Sequence, residues 1–353
     1  MSSLTAIPKF PQAKDSLHSE LRKRVQQYFT DNNIGQTGNS SLLFKALLMV
    51  VSFALVYTHL VFFTPVWYWA LAECLLLGVI ISAIGFNVMH DGSHGSFSNN
   101  KLTCKMAAYS ISMLGASHYM WNMKHNMIHH TYTNVDGVDD DIALAHLLRL
   151  SPEQKKNKLQ KFQHIYFGIL YMLLYVFWVF YSDYAKYFKG FIGITPVKKM
   201  TRTDHIMFWM VKVYHAIVFV IVPIMFVGFW YWLIGFLVAS CLAGFVLSIV
   251  FQLAHTVEHT AFPVADIDTN KLPDEFAVHQ IKTTANFATK NKIVSWFVGG
   301  LNFQIEHHLF PKISHVHYPA ISKIVKGGCI EYQLNYIEYP SVQSAVAAHV
   351  NFL

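Results

Sequence analysis

Nine of the 20 histidines in this 353-residue chain fall into four short clusters. They are His90 and His94 in HDGSH, His125, His129 and His130 in HNMIHH, His255 and His259 in HTVEH, and His307 and His308 in QIEHH, which begins at Gln304. Residues i and i+4 stack one above the other on a helix face. Three clusters repeat that spacing between histidines, and the fourth keeps it between Gln304 and His308. A single zinc takes about four ligands, so nine imidazoles and an amide are too many for one ion. They suit two octahedral-type ions with open positions, a pair of irons held mainly by nitrogen. The cysteines Cys74, Cys104, Cys241 and Cys329 are dispersed without a CxxC pair, which argues against a thiolate site or a disulfide framework and fits small apolar residues.

The carboxylates inside the clusters, Asp91, Glu258 and Glu306, are suited to orient imidazoles through the second ring nitrogen. Gln304 and His315 are candidates for the same supporting role. The run Asp136, Asp139, Asp140, Asp141 lacks the spacing of a calcium loop and reads as a solvated turn or a hydrogen-bonding partner for the second cluster. Other histidines, among them His18, His59, His118, His146, His215, His279 and His349, read as ordinary hydrogen-bonded residues.

The elements that must position these clusters are apolar. Hydrophobic residues make up 54% of the chain and charged residues 13%, about half the usual charged share. That balance excludes a disordered chain, a coiled coil and a nucleic-acid-binding protein, and ionisable groups in such a chain are costly enough to imply function. Segments 42–63, 66–89, 207–229 and 231–253 each reach the ~20 residues needed to cross a ~30 Å hydrocarbon core. The short linkers Thr64-Pro65 and Trp230 make two tight hairpins of them. Neither linker carries a Lys or Arg, whereas Lys9, Lys14, Arg22, Lys23 and Arg24 precede the first span and Lys155, Lys156, Lys158, Lys161, Lys198, Lys199 and Arg202 fill the central loop. The positive-inside rule puts both termini, that loop and all four clusters on the cytoplasmic side. Lys45 and Lys212 are expected to snorkel to that side, and segments 102–121 and 164–181 to lie along the cytoplasmic leaflet. The expected fold is an all-α integral membrane protein: four transmembrane helices in two hairpins, interfacial helices, and a cytoplasmic di-iron cap. A polar segment 1–40, without the features of a cleavable signal, precedes a membrane domain 41–325 and a cytoplasmic tail 326–353.

HDGSH (90–94), HNMIHH (125–130) and QIEHHLFP (304–311) resemble the three histidine boxes of the membrane fatty acid desaturases, and His255 and His259 resemble that family's additional ligand region. The resemblance spans about residues 40 to 325. It implies a non-haem di-iron enzyme that uses molecular oxygen and two electrons to place a double bond in an acyl chain. The implied iron ligands are His90, His94, His125, His129, His130, His255, His259, His307 and His308. Gln304, where many members have His, is similar to front-end, linoleoyl-CoA-type desaturases. No HPGG haem motif accompanies it, so the expected electron donor is separate, a ferredoxin or cytochrome b5 with its reductase. The basic loops would complement an acidic donor. The expected partners are an acyl-lipid or acyl-CoA substrate and membrane lipid, with no nucleic acid. A membrane di-iron hydroxylase shares this scaffold and is the alternative. HTVEH formally matches the HxxEH zinc-peptidase pattern but would use two histidines only. A metal transporter would place ligands near the midplane, within repeated halves, and no repeat is visible.

Overall fold

Four helices in the computed structural model, Ser40–Phe63, Trp67–His94, Arg202–Val227 and Phe229–His255, are each long and apolar enough to cross a membrane. The model describes residues 6–12, 16–144 and 147–353; Lys14 and His146 lie outside them. The first break falls at Thr64, with φ 43°. The second is at Gly228, not Trp230, because the chain there takes φ 84°, a conformation that glycine adopts without steric cost. The second and fourth spans approach closely: a Cβ on Gly78 would sit 2.6 Å from the Ala239 carbonyl oxygen, and Ser82 Oγ donates to Ala243 O at 3.3 Å.

Both of these helices run past the apolar segments read from the sequence, to His94 and His255, and so carry His90, His94 and His255 at their ends. Segment 102–121 is broken into helices Lys101–Ala108, Ser110–Met113 and His118–Asn122. Segment 164–181 belongs to two helices, Leu159–Met172 and Leu174–Lys189, bent by 60°.

Lys45 and Lys212 do not snorkel; both are buried. Lys212 Nζ contacts Asp183 Oδ2 at 2.7 Å and donates to Gly115 O at 2.9 Å and Val179 O at 3.1 Å. Asp183 in turn accepts from Ser117 N at 2.7 Å and Trp178 Nε1 at 3.1 Å. A charge away from water needs a partner of opposite sign and filled hydrogen bonds, and this knot supplies both while tying three segments together. Glu73 finds its partner in His59, whose Nδ1 is 2.8 Å from Oε1.

The remaining chain folds over the histidine-bearing ends. In helix Leu17–Asp31 the buried residues Leu17, Leu21, Val25 and Phe29 recur every fourth position, a single apolar stripe. That stripe joins Ile321, Val325 and Cys329 of helix Tyr318–Glu331 in one core. Segment 326–353 is no loose tail. Its last helix, Val342–Phe352, is capped by Ser341 and buries His349 between Tyr171 Oη (2.9 Å) and Thr256 O (2.6 Å). Among the described residues the β structure is limited to short two-stranded pairs, one of them Asn286–Phe287 running parallel to Glu338–Tyr339.

Candidate metal centre

Helix geometry decides which rings meet. Met123–His129 is a π-helical turn, and the His130 N–H donates to His125 O, five residues back. This wide turn stacks residue i+5 over residue i, so His130 joins His125: their Nε2 atoms are 3.2 Å apart. Gly85–Met89 is also π-helical, with the His90 N–H bonded to Gly85 O, and it precedes the short α-turn His90–His94. His90 Nε2 lies 3.2 Å from His125 Nε2.

The rings assemble into two neighbouring groups. His90, His94, His125, His130 and His307 form one, and His129, His255 and His308 the other; within each, the ligand atoms lie within 4.8 Å of one another. Each adjacent pair, His129–His130 and His307–His308, sends one ring to each group. His94 is half-buried and the other seven are buried.

Partners on the far side of the rings fix which nitrogen faces inward. His129 Nδ1 is 3.0 Å from Asp139 Oδ2. His308 Nδ1 is 2.9 Å from Gln280 Oε1, His255 Nδ1 is 3.4 Å from Thr283 O, and His307 Nδ1 is 3.0 Å from Tyr318 Oη. Carbonyl, amide and carboxylate oxygens accept, so Nδ1 carries the proton in those rings and Nε2 is left bare. The Nε2 atoms of His94, His129, His255, His307 and His308, together with His130 Nδ1, are buried without any hydrogen-bond partner. A buried unsatisfied polar atom costs about 1–3 kcal/mol, so the five unpartnered Nε2 atoms gathered in one place are costly unless cations fill them.

Electrostatics agree. Burial, and then the charges of neighbouring imidazoles, hold His125, His130, His307 and His308 well below the usual histidine range, which keeps them in the neutral form that binds metal. His129 differs: burial lowers it, but the Asp139 charge and hydrogen bond, with Asp141 behind, raise it above its ordinary value. A metal cation at Nε2 would take the place of that second proton. The donor set, eight imidazole nitrogens and no thiolate, fits iron.

Two expected residues are not at this site. His259 is exposed, with φ 76°, and belongs to neither group. The helix ends at His255, so the i,i+4 relation between His255 and His259 is lost as the chain turns away. Glu258 follows it out: Oε2 accepts from Asn351 Nδ2 at 3.1 Å. Asp91 and Glu306 are buried but hydrogen-bond to no ring of either group. Asp91 Oδ2 accepts from Ser314 Oγ at 2.8 Å and faces His315 Nδ1 at 2.9 Å. Glu306 accepts from Asn286 Nδ2 at 2.8 Å and Tyr336 Oη at 2.9 Å, and burial pushes it up to about 7. Gln304 is buried with its Oε1 unpartnered. Residues that the cluster spacing does not mark do the supporting work: Asp139, Gln280, Thr283 and Tyr318. Asn134, at φ 60°, belongs with them, because its Nδ2 reaches His255 O at 2.8 Å and Thr283 O at 3.3 Å.

Residues 64–340 match the family described as fatty acid desaturase. The chain is 33% identical to the sn-1 linoleoyl-lipid 6-desaturase of Synechocystis sp., over 98% of this chain and 96% of that one. It is 34% identical to the protein of the same name from Arthrospira platensis, over 95% and 90%. It is also 33% identical to the acyl-lipid (8-3)-desaturase of Physcomitrium patens, over 93% of this chain and 69% of the relative.

Proposed function

Since the chain belongs to the fatty acid desaturase family, we propose that it places a double bond in a lipid-borne acyl chain with front-end regioselectivity, using two irons. His90, His94, His125, His130 and His307 hold one iron; His129, His255 and His308 hold the other. The observation that carries this reading is the convergence of buried, unpartnered ring nitrogens from all four clusters. The names of the relatives, linoleoyl-lipid 6-desaturase and acyl-lipid (8-3)-desaturase, support an acyl-lipid over an acyl-CoA.

When bound, iron with molecular oxygen and two donor electrons supplies the oxidising power to remove a hydrogen from each of two adjacent methylenes, leaving a double bond and water. The protein's own part is positioning and shielding. Asp139, Gln280 and Thr283 fix ring tautomers, Tyr318 holds the His307 ring through Nδ1, and the buried surround keeps bulk water off the ring nitrogens. A cavity of about 310 Å³, lined by Ser117, His118, Asn122, Met123, Phe208 and Val211, runs between the third span and the helix leading to His125. It is the substrate path in this reading. Electrons come from a separate ferredoxin or cytochrome b5. The spans form two hairpins with the metal centre, both terminal segments and the basic loops on the cytoplasmic side, in line with the Lys and Arg distribution.

The test is expression in a host of known acyl composition, with product analysis by mass. Wild type should yield a species two hydrogens lighter than its substrate, His129→Ala should yield none, and purified protein should hold about two irons per chain. A product heavier by one oxygen would make it a hydroxylase, and a single zinc would overturn the di-iron reading.

A further inference from the structure

Lys45 is a cation held inside the protein. It sits in the second turn of the first span and is 7% exposed. Its ammonium donates to the Trp296 carbonyl and lies 4.7 Å from that residue's ring centroid. Among the described residues no carboxylate comes within ion-pair distance of it, and Asp91 acts on it only as a more distant charge. Beside it opens a cavity of about 190 Å³, walled by Ser41, Ser295, Phe303 and His315 together with Lys45 and Trp296. None of those walls is acidic. His315 is held there by Asp91 through Nδ1, so that carboxylate is already engaged.

The surroundings indicate where an anion would come from. The first span has 24 residues, about 36 Å of helix at 1.5 Å per residue, against a core of ~30 Å. Lys45, five residues from its start, therefore lies near the edge of the hydrocarbon. Trp296 is 51% exposed and Ile293, on the same short helix, 80% exposed; tryptophan at such a level favours the headgroup region. The cavity thus combines apolar walls, Trp296 and Phe303 among them, with one cationic wall, Lys45. That suits a group carrying both a phosphate and acyl chains better than a free ion.

We propose that this cavity is a binding site for the phosphate of an anionic glycerophospholipid, held by Lys45 and separate from the substrate path. A lipid seated there braces the first span against the loop 297–303 that leads into the histidine-bearing helix Gln304–Leu309. The site does not depend on the desaturase reaction and is tested without it.

The full chain, purified in detergent, is given phosphatidylglycerol, and the lipid retained is counted by native mass spectrometry. Wild type should retain one molecule per chain more tightly than Lys45→Met by about tenfold or more, the usual worth of a charge-assisted hydrogen bond. Lys45→Arg should restore retention. Ser41→Trp, which plugs the cavity and leaves the charge in place, should lose it, and this variant serves if Lys45→Met does not fold. Equal retention by wild type and Ser41→Trp would overturn the proposal. Displacement of the lipid by millimolar inorganic phosphate would assign the cavity to a free anion and overturn its assignment to a lipid.

Discussion

Asp139→Asn is the most informative perturbation of the metal centre, because it changes charge and hydrogen bonding and almost nothing else. Asp139 is buried and both of its carboxylate oxygens accept hydrogen bonds. Oδ2 takes His129 Nδ1–H at 3.0 Å and Asn134 N–H at 3.0 Å, and Oδ1 takes Asp141 N–H at 3.1 Å. An asparagine has one acceptor oxygen. With that oxygen at the Oδ2 position its NH2 confronts the Asp141 N–H; flipped, it confronts both His129 and Asn134. Either way the His129 ring loses a charged acceptor, and the fit of one imidazole to its metal is relaxed. Loss of such an outer partner typically costs 10–100-fold in metal affinity, or about 1.4–2.7 kcal/mol at 1.36 kcal/mol per decade. His129 belongs to the three-histidine group, which has fewer ligands to spare than the five-histidine group. In a chelator titration of the iron-loaded protein, Asp139→Asn should release one iron per chain at 10–100-fold lower chelator and the second as wild type does. Asp91→Asn, whose carboxylate serves Ser314 and His315, should leave the three-histidine release unchanged. A release curve for Asp139→Asn that superposes on wild type, or that loses both irons in one step, would refute this reasoning.

Three other outcomes follow from the geometry. His259→Ala should keep iron content and turnover within about twofold of wild type, as expected for a surface residue outside any special contact; loss of an iron on metal analysis would return it to the centre. Asp183→Leu or Lys212→Met alone should destabilise by about 3–5 kcal/mol, because each strands a buried charge, while the double variant should recover much of that loss; thermal unfolding in detergent reads this directly. The third concerns acid. His349 is lowered by burial to about 4, with its bond to Thr256 opposing, whereas an unfolded histidine titrates near ~6.5. Between those values the unfolded state binds more protons, so stability rises with pH: it is full above ~6.5 and lost progressively toward pH 4. The protection factor of helix Val342–Phe352 in hydrogen exchange, corrected for the intrinsic pH dependence of the amides, should fall from pH 7 to pH 5 in wild type and much less in His349→Phe.

The sequence made the spans and most of the centre legible, because apolar runs of membrane length and histidine spacing are strong local signals. What it concealed is instructive. His259 was read as a ligand by extending helical periodicity beyond His255, where the helix has already ended. The i,i+4 rule also missed the π-turn that makes His130 the partner of His125, since one extra residue per turn leaves no mark on composition. Carboxylates next to histidines in sequence looked like their supports. The carboxylates that reach a ligand ring, Asp139 at 3.0 Å and Asp141 at 3.5 Å from His129 Nδ1, come ten and twelve residues after His129, in a turn whose acidic run pointed to them only as one alternative. Lys45 and Lys212 looked like snorkelling cations because sequence shows the length of a side chain and not the carbonyls and carboxylate waiting inside the protein.

The two histidine doublets act as a ruler. His129–His130 and His307–His308 each place one ring in either group, and consecutive Cα atoms are fixed about 3.8 Å apart by the peptide bond. The spacing of the two ring groups is thereby tied to chain connectivity twice over, with ring centroids 5.8 Å apart in His129–His130 and 5.5 Å apart in His307–His308. Softening of the surrounding core can blur each position but has little leverage on the interval between them. Respacing the two ring groups would require changing both doublets at once. For an engineer this separates two tasks: which metal each half prefers is open to side-chain substitution, whereas how far apart the halves stand is not.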